Sequence, residues 1–446
     1  MNRWLALFGC ALVLALLLAH LLRDTPGYMV RNPDGTMTGD ITHYVYWTRL
    51  VTLSGIQSAY AGTWPETYAV YPPVTLYPFE AIGTAYRWLQ DPSFDPSAAQ
   101  QSLWLHEAIK FVAVAWHVLT AVAIFWIVRR QSAAKLAAIA ASVYSLDPAA
   151  MYDVAHWAQP DGAHSLFSVL AVGLLSGGQL LVPWAALAGA ALAKPQAWAI
   201  LPLFAVATVR IQGVSGLARG LVAFVAASIV ITAPFLLSGH TRDLLTLPGT
   251  VSSVMPVVSA DAHNLWWLVG QQRGADPLFI EDSTRVLGPM TYRTAAAVLV
   301  AGVLLLASWL YWTRRASLAE AAGLSVLGWI TFTTQAHENH LFFALPLLSL
   351  AWPARRSLLV PFGIISLTLL LNMVLHDQLV LVGLGSGLKD PGVERLRLAN
   401  AALNVVCWLG WTVAATLRRP TAAPASATVS YWPRRSTAVG LEVTPD

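Results

Sequence analysis

The chain has 446 residues, of which 56% are hydrophobic and 11% charged, with a formal net charge of +4 and a mean hydropathy of +0.57. Soluble domains carry about a quarter charged residues, so this composition excludes an ordinary soluble protein. The apolar content arrives in blocks of roughly 15–25 residues between polar junctions, as in polytopic helical membrane proteins, and nothing alternates like a transmembrane barrel strand.

The first block, Trp4 to Leu22, follows a lone Arg3 and ends in His-Leu-Leu-Arg-Asp. It runs too long for a signal-peptide core and lacks a small-x-small cleavage site, so it reads as a retained first span. A polar region to about Gln101 follows. Within it, Tyr44, Trp47 and Val51 recur at helical spacing behind Thr38-Gly39-Asp40, predicting an amphipathic helix along the membrane surface with Asp40 at its N-cap.

Further apolar runs cover 103–128, 133–150, 162–175, a stretch from 180 to 209 broken by Lys194-Pro195-Gln196, and 221–237. After a polar segment reaching Met290 come runs at 295–312, 318–334, 341–352, 358–375 and 398–417. Splitting the broken stretch into two short spans gives an all-α polytopic fold of about 12 transmembrane helices. Residues 1–419 then form one integral-membrane unit, with 23–101 as its first extracytoplasmic loop. The tail, 420–446, is rich in Ala, Thr, Pro and Ser and reads as disordered and cytoplasmic. Cys10 and Cys407 lie within apolar blocks and imply neither a disulfide nor a metal site.

Counted from a cytoplasmic N-terminus, the junctions with Arg129-Arg130, Arg210 with Arg219, Arg314-Arg315, Arg355-Arg356 and Arg418-Arg419 all fall inside, as the positive-inside rule asks. Both termini are then cytoplasmic in a multi-pass protein of the plasma membrane. The junctions left outside hold nearly every polar motif. Nucleotides lie on the other side, so chemistry at this face must use a substrate already delivered across or along the membrane.

Five clusters stand out there. MYDVAHWAQPD crowds Asp153, His156, Trp157, Gln159 and Asp161 between two spans. Ionisable groups so near hydrocarbon are expensive and tend to line a cavity, although Asp161 also suits a helix cap and Trp157 the aromatic belt. Lys194, beside Pro195, either snorkels to the interface or holds an anion such as a phosphate. His337-Glu338-Asn339-His340 spaces its histidines three apart, not the four of a zinc-protease helix, so a metalloprotease is not indicated. A His/Glu pair can still orient a phosphate or sugar hydroxyl, or cap a helix. Tyr71-Pro72-Pro73, near Tyr68, Tyr77 and Pro78, is a stiff aromatic segment suited to sugar rings, prenyl chains or the interface itself, as is His263-Asn264-Leu265-Trp266-Trp267. No P-loop, Rossmann glycine pattern or GxSxG occurs.

Gly39-Asp40, Tyr71-Pro72-Pro73, Trp157-Ala158-Gln159-Pro160-Asp161, Lys194-Pro195-Gln196, Asn264-Leu265-Trp266 and His337-Glu338 stand in the order seen in GT-C integral-membrane glycosyltransferases. The chain resembles bacterial polyprenyl-phosphate-mannose-dependent mannosyltransferases and dolichol-phosphate-glucose transferases over residues 1 to about 417. A typical relative has Trp-Gly-Gln-x-Asp, where this chain has Ala158 and Pro160.

The resemblance implies inverting transfer of a hexose, with mannose the nearest likeness, from a polyprenyl-phosphate donor to a hydroxyl of an envelope lipid or glycan. Asp40 is then the general base, while Tyr71, His156, Trp157, Gln159, Asp161, Lys194, Asn264, Trp266, His337 and Glu338 bind substrate. It calls for no metal and no other cofactor. The alternative class is a multi-pass transporter or lipid flippase, which twelve spans with broken helices also suit. The polar groups gather on one face instead of the midplane, and no repeat relates the two halves.

Overall fold

The computed structural model describes residues 2–31, 37–272, 274 and 276–421. The tail expected to be disordered lies, from 422 onward, outside the described residues. Helix α1 (Asn2–Leu21) leads into a small hairpin of β1 (Met29–Arg31) and β2 (Met37–Gly39), paired antiparallel with Met29 opposite Gly39. The first loop then builds α2 (Asp40–Ser54), α3 (Pro73–Leu89) and α4 (Pro96–Gln100).

Helices α5 (Leu103–Gln131), α6 (Ala134–Ser145), α7 (Pro148–Met151), α8 (Asp161–Ser176), α9 (Leu181–Ala191) and α10 (Leu201–Leu237) follow. The second polar segment forms α11 (Thr241–Val254), α12 (Leu265–Gln272) and a hairpin of β3 (Arg285–Leu287) with β4 (Met290–Thr291). The chain closes with α13 (Tyr292–Trp312), α14 (Leu318–Phe332), α15 (Ala344–Ala351), α16 (Leu359–Val374), α17 (Gln378–Gly383) and α18 (Pro391–Thr416).

Every apolar run expected to be helical is helical. Among the described residues, six helical stretches are long and apolar enough to cross a membrane: Arg3–Leu21, Leu103–Gln131, Leu201–Leu237, Tyr292–Trp312, Arg356–Val374 and Pro391–Thr416. Five shorter apolar helices pack among them. The architecture is thus an all-helical, multi-pass membrane bundle.

The Leu201–Leu237 stretch joins the sixth and seventh expected runs through Gly213, whose φ of 72° is the left-handed conformation that glycine adopts without strain. The chain reverses there. Trp184 of α9 stacks edge-on to Phe204 on one arm (5.1 Å) and Phe224 on the other (6.3 Å), while its indole N–H donates to Thr208 Oγ1 at 3.1 Å. A continuous helix would hold Thr208 and Phe224 about 24 Å apart, beyond one indole.

Four of the five arginine junctions meet at one end of the bundle. Glu320 at the start of α14, 1% exposed, pairs with Arg355 (3.2 Å) and Arg418 and accepts from Trp411. Arg315 donates to the Thr416 and Arg418 carbonyls. Arg210 donates to the Tyr311 carbonyl.

The first loop forms its own core at the other end. The α2 face bearing Ile41, Tyr44, Trp47 and Val51 is turned into protein, against Tyr60, Leu76, Phe79 and Phe235. This corrects the expectation of a face lying in the membrane surface: aromatic side chains at helical spacing suit either apolar environment, and the folded loop supplies the protein one.

Candidate active site

Two aspartates open helices at this end, and neither acts as the cap the sequence suggested. The N-cap of α2 is Gly39 and that of α8 is Pro160, so Asp40 and Asp161 are the first helical residues and spend their carboxylates sideways. Gly39 is required by close approach. Its residue pairs with Met29 across the hairpin, and an added Cβ would fall 1.9 Å from the Tyr28 carbonyl oxygen.

Asp40 Oδ2 accepts a 2.6 Å hydrogen bond from Gln159 Nε2. Gln159 Oε1 in turn accepts from the Tyr44 hydroxyl (2.8 Å) and the Tyr71 hydroxyl (3.1 Å), which fixes the amide's orientation. Among the described residues no hydrogen bond occupies Asp40 Oδ1. Gln159 is aimed by its own loop. Tyr152–His156 forms a π-helical turn, Trp157 packs against Tyr28 with ring centres 4.7 Å apart, and Ala158 takes a positive φ of 65°. That φ suits the glycine of the Trp-Gly-Gln pattern, and nothing in the structure explains why this chain has alanine there. The loop needs a left-handed residue there, which glycine adopts freely and alanine only with strain.

Below this loop lies Asp377, which sequence reading did not single out. Its Oδ2 accepts from Tyr152 (2.7 Å), His156 (3.2 Å) and the Trp157 indole (3.2 Å), and its Oδ1 caps α17. Despite burial, these donors, His156 and Tyr152 foremost, hold its pKa below the ordinary carboxylate value. His156 and Trp157 therefore anchor the loop that carries Gln159.

Lys194 is buried at the break after α9. There the start of α3 takes up freed backbone: Val74 N–H donates to the Leu192 carbonyl (2.9 Å) and Thr75 Oγ1 to the Ala193 carbonyl (2.9 Å). The ammonium is paired with Asp161 and lies over the Tyr71 ring at 4.8 Å. Asn339 Nδ2 bridges the Asp161 (3.0 Å) and Asp153 (3.2 Å) carboxylates. The anion expected at Lys194 is, in this structure, a carboxylate of the chain itself, and nothing here has the ammonium snorkelling away.

The His337-Glu338 loop completes the cluster, with His337 Nδ1 3.7 Å from Glu338 Oε2. His340 accepts from the His337 N–H at its Nδ1 (3.1 Å) and pairs with Gln196 at its Nε2 (2.9 Å). Burial raises the Asp40 pKa first and the Glu338 charge adds to it, while His337 and Lys194 oppose, leaving Asp40 at about 7. Burial thus outweighs the ionising pull of the donors at the helix start. Burial works against a charged His337, yet Glu338 and then Asp40 lift its pKa above the usual imidazole value.

The structure therefore brings together Asp40, Tyr71, Gln159, Asp161, Lys194, His337 and Glu338, and adds Tyr44, Asp153 and Asn339. It sets Asn264 and Trp266 into the frame. Asn264 caps α12 through Oδ1 and donates to the Thr333 carbonyl, and the Trp266 indole donates to the Phe332 carbonyl at 2.8 Å.

The chain matches no known family profile. It matches no curated protein either. Among solved structures it is similar to one titled "Crystal Structure of ArnT from Cupriavidus metallidurans in the apo state". The two share 15% identity with a TM-score of 0.47, over 93% of this chain and 76% of that one.

Proposed function

We propose that this chain is a membrane glycosyltransferase that moves a hexose from a polyprenyl-phosphate donor to a hydroxyl of an envelope lipid or glycan on the extracytoplasmic face. The observation that carries the reading is Asp40, with one oxygen fixed by Gln159 and the other free of hydrogen bonds from the described residues, set in the field of His337 and Lys194 at the end of the bundle away from the clustered arginines. The ordered GT-C-like motifs support it and suggest mannose as the sugar.

In the proposed reaction the acceptor oxygen attacks the anomeric carbon from the face opposite the phosphate. The carbon–oxygen bond to phosphate breaks as the new glycosidic bond forms, and Asp40 Oδ1 takes the acceptor's proton. One displacement inverts the anomeric centre. A carboxylate with pKa near working pH is well matched to accepting a proton in the transition state. The phosphate leaves as an anion and needs cationic partners instead of an acid. His337 meets its charge first. Lys194 adds to it from below, its field partly offset by Asp161.

The test uses purified protein in lipid nanodiscs, an acceptor extract of envelope lipids, and either polyprenyl-phosphate hexoses or nucleotide hexoses as donors. The expected result is transfer from the lipid donor with release of polyprenyl phosphate. Robust turnover with the nucleotide donor alone overturns the lipid donor. No transfer from any donor overturns the enzyme reading in favour of a transporter or flippase.

A further inference from the structure

The outer ends of α16 and α18 invest an unusual set of buried polar side chains in three residues, Asp261-Ala262-His263. Asn372 Nδ2 donates to the Asp261 carbonyl (2.7 Å) while Asn372 Oδ1 accepts from the His263 N–H (2.8 Å). Asn404 Nδ2 donates to the His263 carbonyl at 2.9 Å. Asn400 Nδ2 donates to His263 Nδ1 (2.8 Å), the His263 and His376 Nε2 atoms are 3.0 Å apart, and His376 Nδ1 lies 3.3 Å from Asp261 Oδ1.

The proton positions follow from the donors. An amide N–H on His263 Nδ1 makes that nitrogen the acceptor, so His263 Nε2 carries hydrogen and donates to His376 Nε2. His376 Nδ1 then carries the remaining hydrogen, on the nitrogen that lies 3.3 Å from Asp261 Oδ1. Burial keeps both imidazoles neutral, well below their usual pKa. The chain of donors runs one way, from Asn400 through His263 to His376, whose other ring nitrogen sits beside the Asp261 carboxylate.

Three of its members are buried, but the Asp261 side chain is 20% exposed. Its backbone holds a positive φ of 61°, a conformation kept only where surroundings over-determine it. It also faces the candidate site. Ala260 and Asp261 pair with His337 across isolated bridges, and Ala260 N–H donates to the Ala336 carbonyl at 2.9 Å. The charges of Asp261, Asp40 and Glu338 all fall on the Tyr28 phenol. Among the described residues no hydrogen bond occupies Asp261 Oδ2.

We infer that Asp261 is a sugar-recognition carboxylate whose free oxygen accepts hydrogen bonds from hydroxyls of the donor's hexose, with His376, His263 and Asn400 as positioning residues. The inference rests on the glycosyltransferase reading for the identity of its ligand. An imidazole packed 3.3 Å from one carboxylate oxygen restricts the side chain and leaves the other oxygen toward the site, and a carboxylate accepts hydroxyl hydrogen bonds more strongly than a neutral group does. Such a group discriminates sugars by hydroxyl position, and a lipid phosphate without a sugar gives it nothing to hold.

The test measures binding of short polyprenyl phosphates carrying mannose, glucose or arabinose, and of the same polyprenyl phosphate without sugar, by tryptophan fluorescence in nanodiscs. Asp261→Asn is the variant of choice, because asparagine tolerates the left-handed backbone and keeps the size of the side chain beside His376. The preferred sugar-bearing lipid should bind this variant about tenfold more weakly or worse than wild type, consistent with loss of a hydrogen bond to a charged group. The bare lipid should bind both alike. His376→Phe should show the same sugar-selective loss to a smaller degree. Equal weakening of both lipids, no weakening of either, or a wild type that binds no sugar-bearing lipid better than the bare one overturns the inference. Turnover by wild type with the same lipids tests the transferase reading separately. Sugar-selective binding lost in Asp261→Asn, without turnover, would keep the Asp261 role and remove the reaction.

Discussion

Gln159 Nε2 holds Asp40 Oδ2 at 2.6 Å across 119 residues of sequence, tying the first helix of the first loop to the junction between two spans. One hydrogen bond thereby sets which oxygen of Asp40 is engaged and which is left to accept. It also makes the carboxylate's position depend on the loop beneath it, through Trp157, His156 and Asp377.

Asp40→Asn keeps the size of the side chain and an oxygen to accept from Gln159, but cannot take a proton. Transfer should fall by roughly a hundredfold or more, the range typical of a lost general base, with expression unchanged. Had Asp40 been a helix cap, the same change would cost little; the cap position belongs to Gly39. Near-normal turnover in Asp40→Asn would move the role of base to Asp153 or Asp161.

A second outcome follows from pH. The folded-state pKa of Asp40, about 7, lies above the ordinary carboxylate value of 3.8. Between these values the folded chain holds a proton that the unfolded chain has released, so this residue's contribution to stability falls as pH rises through that window. Activity runs the other way, because only the deprotonated form is a base. In wild type, kcat/KM should rise with pH through about 7, and thermal unfolding of Asp40→Asn should shift upward relative to wild type at pH 8. An acid limb near pH 4 would contradict the burial of Asp40.

Gln159→Leu removes the donor to Asp40 and the acceptor of Tyr44 and Tyr71 at once. Transfer should drop about tenfold or more through misorientation alone, and leaving the two phenols only their mutual 3.3 Å hydrogen bond should cost about 1–3 kcal/mol of stability. Gln159→Glu tests orientation against charge: it restores the acceptor but sets a second carboxylate against Asp40. The acid limb of kcat/KM in that variant should move to higher pH, since a like charge disfavours ionisation.

The positively charged junctions identify the ends of the bundle, and labelling assigns them to sides. Single cysteines at Thr63 and Ser283, both exposed, should react with an impermeant thiol reagent on intact cells, while one at Arg315 should not. Labelling at Arg315 with silence at Thr63 would invert the orientation and put the candidate site on the nucleotide side.

Much of this was legible because polar residues are conspicuous in an apolar chain. Gln159, Asp161 and Lys194 stood out as polar groups close to apolar spans, Asp40 for its place at a helix start and His337 for its pairing with Glu338, and the structure brings them together. The arginine pairs marked junctions expected to share one end of the bundle, and those of 314–315, 355–356 and 418–419 do meet. What stayed hidden needed pairing at a distance. Asp377 lies 220 residues from the indole it accepts from, and Asn339 lies 178 residues from Asp161, with no local pattern to announce either. The capping assignments failed for a different reason. An aspartate at a helix start is equally at home as the cap or as the first helical residue, and only the hairpin before α2 and Pro160 before α8 decide it.

Ala158 supplies the last prediction. Its φ of 65° puts a methyl-bearing residue in left-handed backbone at the centre of the loop, next to Gln159, and the side chain is 1% exposed. Changing it to glycine relieves roughly 1–2 kcal/mol of strain. The same change loses the burial of one methyl, about 0.8 kcal/mol, and adds chain entropy to the unfolded state of about 0.4–1 kcal/mol. These terms nearly cancel, so Ala158→Gly should unfold within a few degrees of wild type and keep its activity. Ala158→Val has no such compensation. A β-branched side chain is a genuine outlier at positive φ, and the buried site has no room for its extra methyls. Transfer should collapse with Gln159 displaced, and the protein should lose thermal stability. If valine were tolerated as well as glycine, the left-handed turn at 158 would not be what aims Gln159 at Asp40.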